Sequence, residues 1–179
     1  MTEIEATQGA ADETVVVWVT EGTWRACVDA ARRVIPAGAR AVLIHVIPEE
    51  ISAAAHAAYA GLLGRGHPER DPGQRVAAFA AASAAELLDA AADRLARPCE
   101  RTELHGRVER EVVAAASGAD LLIVARDGDR SRLGPKSLGP ATRFVVDHAP
   151  CPVLLVWPDT PPGLETIPHP PPRRRPHHI

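Results

Sequence analysis

The stretch Thr14 to Thr20 reads TVVVWVT and is apolar at every position between its two threonines. A second stretch, Asp120 to Arg126, reads DLLIVAR and has an apolar residue at each position between its charged ends. A strand that is apolar on both faces must be covered by helices on both sides, as the central strands of parallel sheets are. The two stretches therefore predict the middle of a layered α/β domain.

Short β-branched runs and longer helical patterns alternate around these stretches, which is typical of βαβ units and a parallel sheet. Further strands are predicted at Arg40 to Val46, Glu100 to Leu104 and Pro152 to Trp157. Apolar stripes at helical spacing predict helices within Trp24 to Ile35, Val76 to Leu95, Val108 to Ala116 and Phe144 to His148. The predicted domain, residues 14–157, then has five strands with helices on both faces of the sheet.

Three segments fall outside this pattern. Residues 1–13 are acidic and lack apolar periodicity, which predicts a disordered arm. Residues 158–179 hold 8 of the 17 prolines and a run of three arginines, which predicts a disordered or polyproline tail. The long insert Ile47 to Arg75 contains a helical pattern at Ile51 to Leu63; a functional excursion and an inert surface loop both fit it.

Composition excludes several classes of protein. No apolar run approaches the roughly 18 to 20 residues that cross a bilayer, so no membrane partner is expected. A net charge of -3 argues against nucleic acid as a partner, because phosphate-binding domains are usually strongly basic. The 3 cysteines are widely separated, which argues against a disulfide framework or a metal site and favours the reducing cytoplasm.

Three segments carry a family resemblance: VVVWVTEGTW (15–24), HGRVEREVVAAASGADLLIVARDG (105–128) and GPATRFVVDHAPCPVLLVW (139–157). Together they resemble the universal stress protein family over most of the predicted domain. The resemblance implies a Rossmann-like, HUP-type fold: a five-stranded parallel sheet in the order 3-2-1-4-5 with helices on both faces. It also implies a stress-response role and a homodimer paired through the last strand.

In that strand order the last strand is an apolar edge, formed by Val153, Leu154, Leu155, Val156 and Trp157. An open edge of this kind invites pairing with a second copy, since two-fold antiparallel pairing satisfies both backbones at once. The alternative is that the proline-rich tail covers the edge.

The resemblance also suggests a nucleotide loop after the fourth strand, which in the ATP-binding branch of the family reads G-x-x-G-x(9)-G-S/T. The four defined positions are occupied here by Arg126, Asp129, Gly139 and Pro140, so one glycine remains. Arg126 fills space where backbone amides approach phosphate, and Asp129 adds a negative charge. Pro140 lacks both an amide hydrogen and a hydroxyl. We therefore expect an eroded ATP site and no bound cofactor.

The remaining site positions are mixed. Thr20 stands where the family has an aspartate that holds adenosine, while Val46 and Gly106 match the positions that flank adenine and ribose. Cationic side chains could still hold a phosphate in place of glycine amides; the loop carries Arg126, Arg130, Arg132, Lys136 and Arg143, with Gly128 one residue out of register. In that case Gly139, Ala141 and Thr142 at the helix start would meet the phosphates. The opposite interpretation pairs these cations with Asp127 and Asp129 as a solvated face.

No catalytic or metal-binding constellation is visible in the sequence. His45 fits a packed core histidine, His148 fits a helix C-cap, and Cys151 fits a small buried apolar residue, with a redox role as the less favoured interpretation. The sequence thus predicts a cytoplasmic stress-response protein that is not an enzyme and binds an unidentified protein partner. The alternative is an adenine-nucleotide sensor or slow ATPase that binds ATP through the arginine-rich loop.

Overall fold

The computed structural model of the chain describes residues 13–49 and 72–167. Within them, strands and helices alternate along the chain in the following order: β1 (Thr14–Trp18), α1 (Trp24–Val34), β2 (Arg40–Pro48), α2 (Pro72–Leu95), β3 (Glu100–Gly106), α3 (Val108–Ala115), β4 (Leu121–Ala125), α4 (Pro140–His148) and β5 (Val153–Val156). Two short 3-10 turns, Pro135–Ser137 and Leu164–Thr166, lie on either side of β5 in the chain. The predicted helical piece at Ile51 to Leu63 and most of the acidic arm lie outside the described residues.

All five strands run parallel in the order β3-β2-β1-β4-β5, which confirms the predicted topology. The central strand β1 pairs on both sides, so that Val16 lies opposite Val42 on β2 and Leu122 on β4. After their first residue, β1 and β4 are buried throughout, as their sequences predict. Parallel strands with both faces covered bury their side chains in this way.

The sheet separates two apolar cores. Alternating residues of the central strands, such as Val17 and Leu43, pack with Leu88 under α1 and α2. The intervening residues, including Ile44, pack with Val112 under α3 and α4. A fully buried side chain of this size contributes about 1.5–3 kcal/mol to folding. The two cores together hold the sheet between its two layers of helices and fix the positions of the loops at the carboxyl ends of the strands.

Some element boundaries differ from the prediction. Strands β2 and β3 are longer at their carboxyl ends because they pair with each other as far as Pro48 and Gly106. Helix α4 starts at Pro140, four residues before the predicted apolar stripe. Proline is well suited to a first helical turn, since its fixed φ matches the helix and its missing N–H would be unpaired there.

The segment from Pro158 to Ile167, the first part of the predicted disordered or polyproline tail, is described by the structure and contacts the loop between β4 and α4. Later tail residues lie outside the described part of the chain, so the prediction for them stays a prediction. None of the helices in the described ranges could span a membrane.

Candidate functional site

The candidate site lies at the carboxyl edge of the sheet, where ligands of open α/β folds usually bind. Thr20 follows β1, and the pairing of β2 with β3 places Pro48 opposite Gly106 at the same edge. The β4–α4 loop, residues 126–139, leaves the end of the neighbouring strand and leads into α4. The fold therefore brings the sequence-predicted residues to one edge.

Three of the predicted site residues lie at the ends of β1, β2 and β3, and their surroundings are filled by groups of the same chain: Thr20, Val46 and Gly106. The Thr20 Oγ1 lies 2.6 Å from the Thr23 Oγ1. Val46 is 4% exposed and belongs to the core under α3 and α4. Gly106 has φ +146, and a Cβ there would lie 2.7 Å from the Glu111 Oε1, so this position needs glycine.

The β4–α4 loop is hydrogen-bonded across itself. The Gly128 N–H donates to the Ser137 carbonyl at 2.9 Å, and the Asp129 N–H donates to the Lys136 carbonyl at 2.8 Å. A Cβ on Gly128 would lie 2.4 Å from the Lys136 carbonyl oxygen. Gly128 therefore allows the two arms of the loop to touch, and two amides that could face an anion are already bonded.

A carboxylate of the protein itself occupies the amino end of α4. The buried Gly139 N–H donates to the Asp127 Oδ1 at 2.7 Å. A Cβ on Gly139 would lie 2.9 Å from both carboxylate oxygens of Asp127. Pro140, the first residue of the helix, has no N–H to offer. Since helix amino ends favour negative charge, Asp127 sits where an anionic ligand would otherwise lie.

Asp129, the carboxylate that sequence reasoning placed beside the phosphates, turns elsewhere. It accepts hydrogen bonds from the Ser131 Oγ at 2.5 Å, from the Ser131 N–H at 3.1 Å and from the Arg132 Nε at 3.0 Å. These bonds, the Ser131 hydroxyl first, lower the pKa of Asp129 to about 2. The carboxylate beside α4 is therefore Asp127, which sequence reasoning assigned only to the solvated face.

Arg126 fills the base of the loop. Its Nη1 donates to the Ser137 Oγ, and its guanidinium carbon lies 4.7 Å from the ring centroid of Trp157. Ser137 is fully buried and donates to the Gly134 carbonyl at 2.7 Å. The Arg126 Nε is buried without a partner among the described residues. The side chain thus occupies the space that a glycine at this position would leave open.

The other arginines of the loop and of the first turn of α4 bond to groups of the same chain. Arg130 pairs with Asp159 at 2.9 Å, Arg132 pairs with Asp129, and Arg143 donates to the Pro135 carbonyl. Thr142 is 1% exposed, so its hydroxyl is not presented at the surface, and Ala141 is partly buried against the core under α3 and α4. The arrangement favours a self-bonded loop over an open anion cradle.

A separate cavity lies on the face of β2 that packs against α2. It has a volume of about 250 Å³ and lies between the end of β2 and the first half of α2. Its lining is mostly apolar and includes Glu21, His45, Ile47, Phe79 and Ser83. It does not include residues of the β4–α4 loop.

Reactive side chains are in inert surroundings. Burial raises the pKa of the Cys27 thiol to about 12. Burial, with a smaller effect of the Asp120 charge, also raises the pKa of Cys151, which does not favour the redox interpretation. The His45 Nδ1 donates to the Val19 carbonyl at 2.8 Å, and the His148 Nδ1 donates to the Phe144 carbonyl at 2.8 Å, as a C-cap does. Among the described residues no acidic, His or Cys cluster could hold a metal ion.

The model of the universal stress protein family matches residues 13–156. Among solved structures, a hypothetical protein whose biochemical function was assigned from its structure is similar with a TM-score of 0.63 and 16% identity, over 82% of this chain and 96% of that chain. A universal stress protein in complex with cAMP gives 0.55 and 20%, over 82% and 98%. UspA from Lactobacillus plantarum gives 0.51 and 20%, over 80% and 97%. No curated protein matches significantly.

Proposed function

Because the chain belongs to the universal stress protein family, we propose that it is a cytoplasmic stress-response protein that acts by binding another protein. In this proposal it neither needs nor turns over ATP. The observation that carries this part of the proposal is the hydrogen bond from the Gly139 N–H to Asp127, which closes the helix end that a phosphate would need. The two backbone bonds across the β4–α4 loop support it.

The energetic consequence for ATP can be worked out from these contacts. Displacing the exposed Asp127 from Gly139 costs about 1 kcal/mol, and the charged hydrogen bond that Pro140 cannot donate is worth about 1.5–3 kcal/mol. The sum, roughly 2.5–4 kcal/mol, corresponds to two or three decades of affinity. A site that would otherwise be micromolar becomes one of about 0.1–1 mM.

A second candidate function is an adenine-nucleotide sensor. The similar universal stress protein solved with cAMP favours it, because a ligand with one phosphate needs fewer donors than a triphosphate does. In this chain the unpartnered Nε of Arg126 would be a donor for that phosphate. Thr20 and Val46 would lie on the side of the base.

The two functions are separated by small-molecule mass spectrometry of the purified full-length protein and by calorimetric titration with ATP and with cAMP. The first proposal predicts no stoichiometric nucleotide after purification and an ATP dissociation constant weaker than about 0.1 mM. Binding of ATP tighter than about 10 μM would contradict it. Micromolar binding of cAMP without comparable binding of ATP would support the sensor.

We further propose that the protein is a homodimer paired through β5. The Pro152 carbonyl accepts from the Leu122 N–H of β4, and the Val156 carbonyl accepts from the Arg126 N–H directly after β4, at 2.9 Å in both cases. Successive residues of a strand point their backbone N–H and C=O groups to opposite sides, so Val153 and Leu155 direct theirs to the open edge. A second β5 in antiparallel orientation would satisfy them.

Sedimentation velocity of three full-length forms tests this pairing. Leu155→Pro removes an N–H at the open edge and spares the ladder to β4, so it should give a monomer. The wild type and the control Leu155→Val should remain dimers. A wild type that is monomeric at every concentration, or a dimeric Leu155→Pro, would rule out pairing through this strand.

A further inference from the structure

The segment that follows β5 lies against the β4–α4 loop. We call residues 158–167 the C-terminal strap. Asp159 of the strap pairs with Arg130 of the loop at 2.9 Å. Further along, the Leu133 N–H of the loop donates to the Thr166 Oγ1 at 3.0 Å. Immediately before the strap, the Trp157 ring stacks on the Arg126 guanidinium. The chain is thus attached to the loop at three successive points.

The acceptor on Thr166 is held in place by the strap itself. The Thr166 Oγ1 donates to the Gly163 carbonyl at 2.7 Å, and the Thr166 N–H donates to the same carbonyl at 3.1 Å. Both bonds belong to the short 3-10 turn Leu164–Thr166. With its hydrogen directed at Gly163, the hydroxyl presents a lone pair to the Leu133 N–H. The strap therefore offers a preformed partner for a loop amide.

The positions that the strap holds belong to one arm of the loop. Arg126, Arg130 and Leu133 lie on the arm that also carries Asp127, Gly128 and Asp129, the residues bonded to the returning arm and to α4. Moving the outgoing arm away from α4 would stretch the strap contacts at the same time. With the strap in place, opening of the loop therefore requires these contacts to break.

We propose that the C-terminal strap is a clasp: it holds the β4–α4 loop in its self-bonded conformation, and its release frees the amino end of α4. This inference rests on the proposed function, in which the loop is closed by Asp127. It adds the element that controls the closure. The clasp is built from an exposed ion pair and a single hydroxyl acceptor, so a partner that pulls on the tail can release it.

Amide hydrogen exchange of the full-length protein tests the clasp. Thr166→Val removes the acceptor for Leu133, and Thr160→Val is the matched control, because Thr160 lies on the same strap and its hydroxyl has no bonding partner within the described ranges. Loss of one hydrogen bond predicts about fivefold faster exchange at Gly128, Asp129 and Gly139 in Thr166→Val. Thr160→Val should leave these amides unchanged. Faster exchange at Leu133 alone would overturn the proposal.

A second variant tests the clasp independently, in case Thr166→Val does not fold. Asp159→Asn breaks the pair with Arg130 and should raise exchange at the same three amides about twofold, with a smaller effect at high salt. Unchanged exchange in both variants makes the strap a passive cover and overturns the clasp while leaving the proposed function intact. Tight ATP binding by the wild type refutes the proposed function, and the exchange rates then still decide whether the strap holds the loop.

Discussion

Replacement of Asp127 tests whether the loop is closed by its own carboxylate. In Asp127→Ala the buried Gly139 N–H loses its acceptor, as a helix does when its capping side chain is removed. Such losses cost about 0.5–2 kcal/mol, and we expect about 1–2 kcal/mol because Gly139 is buried. Asp127→Asn keeps an acceptor oxygen and loses the favourable charge at the helix end, about 0.3–1 kcal/mol.

Equilibrium unfolding in urea, followed by tryptophan fluorescence, gives these differences in the free energy of unfolding. All forms are compared at one protein concentration, since association would add to the apparent stability. Asp147→Ala is the control: it removes an exposed carboxylate from the last turn of the same helix, where negative charge is unfavourable, and should be neutral or slightly stabilising. If Asp127→Ala costs no more than Asp147→Ala, Asp127 does not close the helix end.

Three further predictions follow from individual groups. Gly128→Ala should lower the free energy of unfolding by about 1–3 kcal/mol, because its Cβ would lie 2.4 Å from the Lys136 carbonyl oxygen; unchanged stability in urea would contradict that contact. The Asp129 carboxyl should titrate near pH 2 by NMR. Since its folded pKa is lowered, its stabilising contribution is present above about pH 4 and lost as the pH falls towards 2. A midpoint near 3.8, the ordinary pKa of an aspartate, would show that the Ser131 and Arg132 bonds do not form. With its pKa raised to about 12, the Cys27 thiol should not react with a thiol reagent at pH 7.5 until the protein unfolds, so rapid labelling of the native protein would contradict its burial.

Apolar patterning was sufficient to predict the elements of the fold. The two faces of β1 and β4 could be read from the sequence because a central parallel strand is apolar at every position. The strand order came from the family resemblance, since periodicity gives elements and not their neighbours. The apolar stripe of α4 begins only at Phe144, so periodicity did not mark the helix start at Pro140, which the family resemblance indicated.

The closed loop could be predicted only in part. The family resemblance predicts that Arg126 and Pro140 stand where relatives have small or hydrogen-bonding residues. The structure places Arg126 at the base of the loop and Pro140 at the helix start. The path of the chain at Gly128, where the two backbone arms of the loop are in contact, decides which carboxylate lies at the amino end of α4. A contact between residues twelve positions apart leaves no periodic signal, so the role of Asp127 required the structure.

The contacts of the strap could not be predicted from the sequence either, because they too join residues that are far apart in the chain. Its prolines predict an extended chain without periodicity, and its contacts with the loop come from single side chains, Asp159 and Thr166. Composition predicts whether such a segment is extended or disordered, but it does not predict two individual side-chain bonds to a distant loop.

Calorimetric titration of ATP into the wild type and into the triple variant Arg126→Gly/Asp127→Gly/Pro140→Ser tests the central claim most directly. The variant clears the base of the loop, removes the internal carboxylate and restores an amide and a hydroxyl at the helix start. If the loop is closed to ATP, the wild type binds ATP more weakly than about 0.1 mM and the folded variant binds it about a hundredfold tighter. Micromolar binding by the wild type, or a folded variant that binds ATP no better, would contradict it.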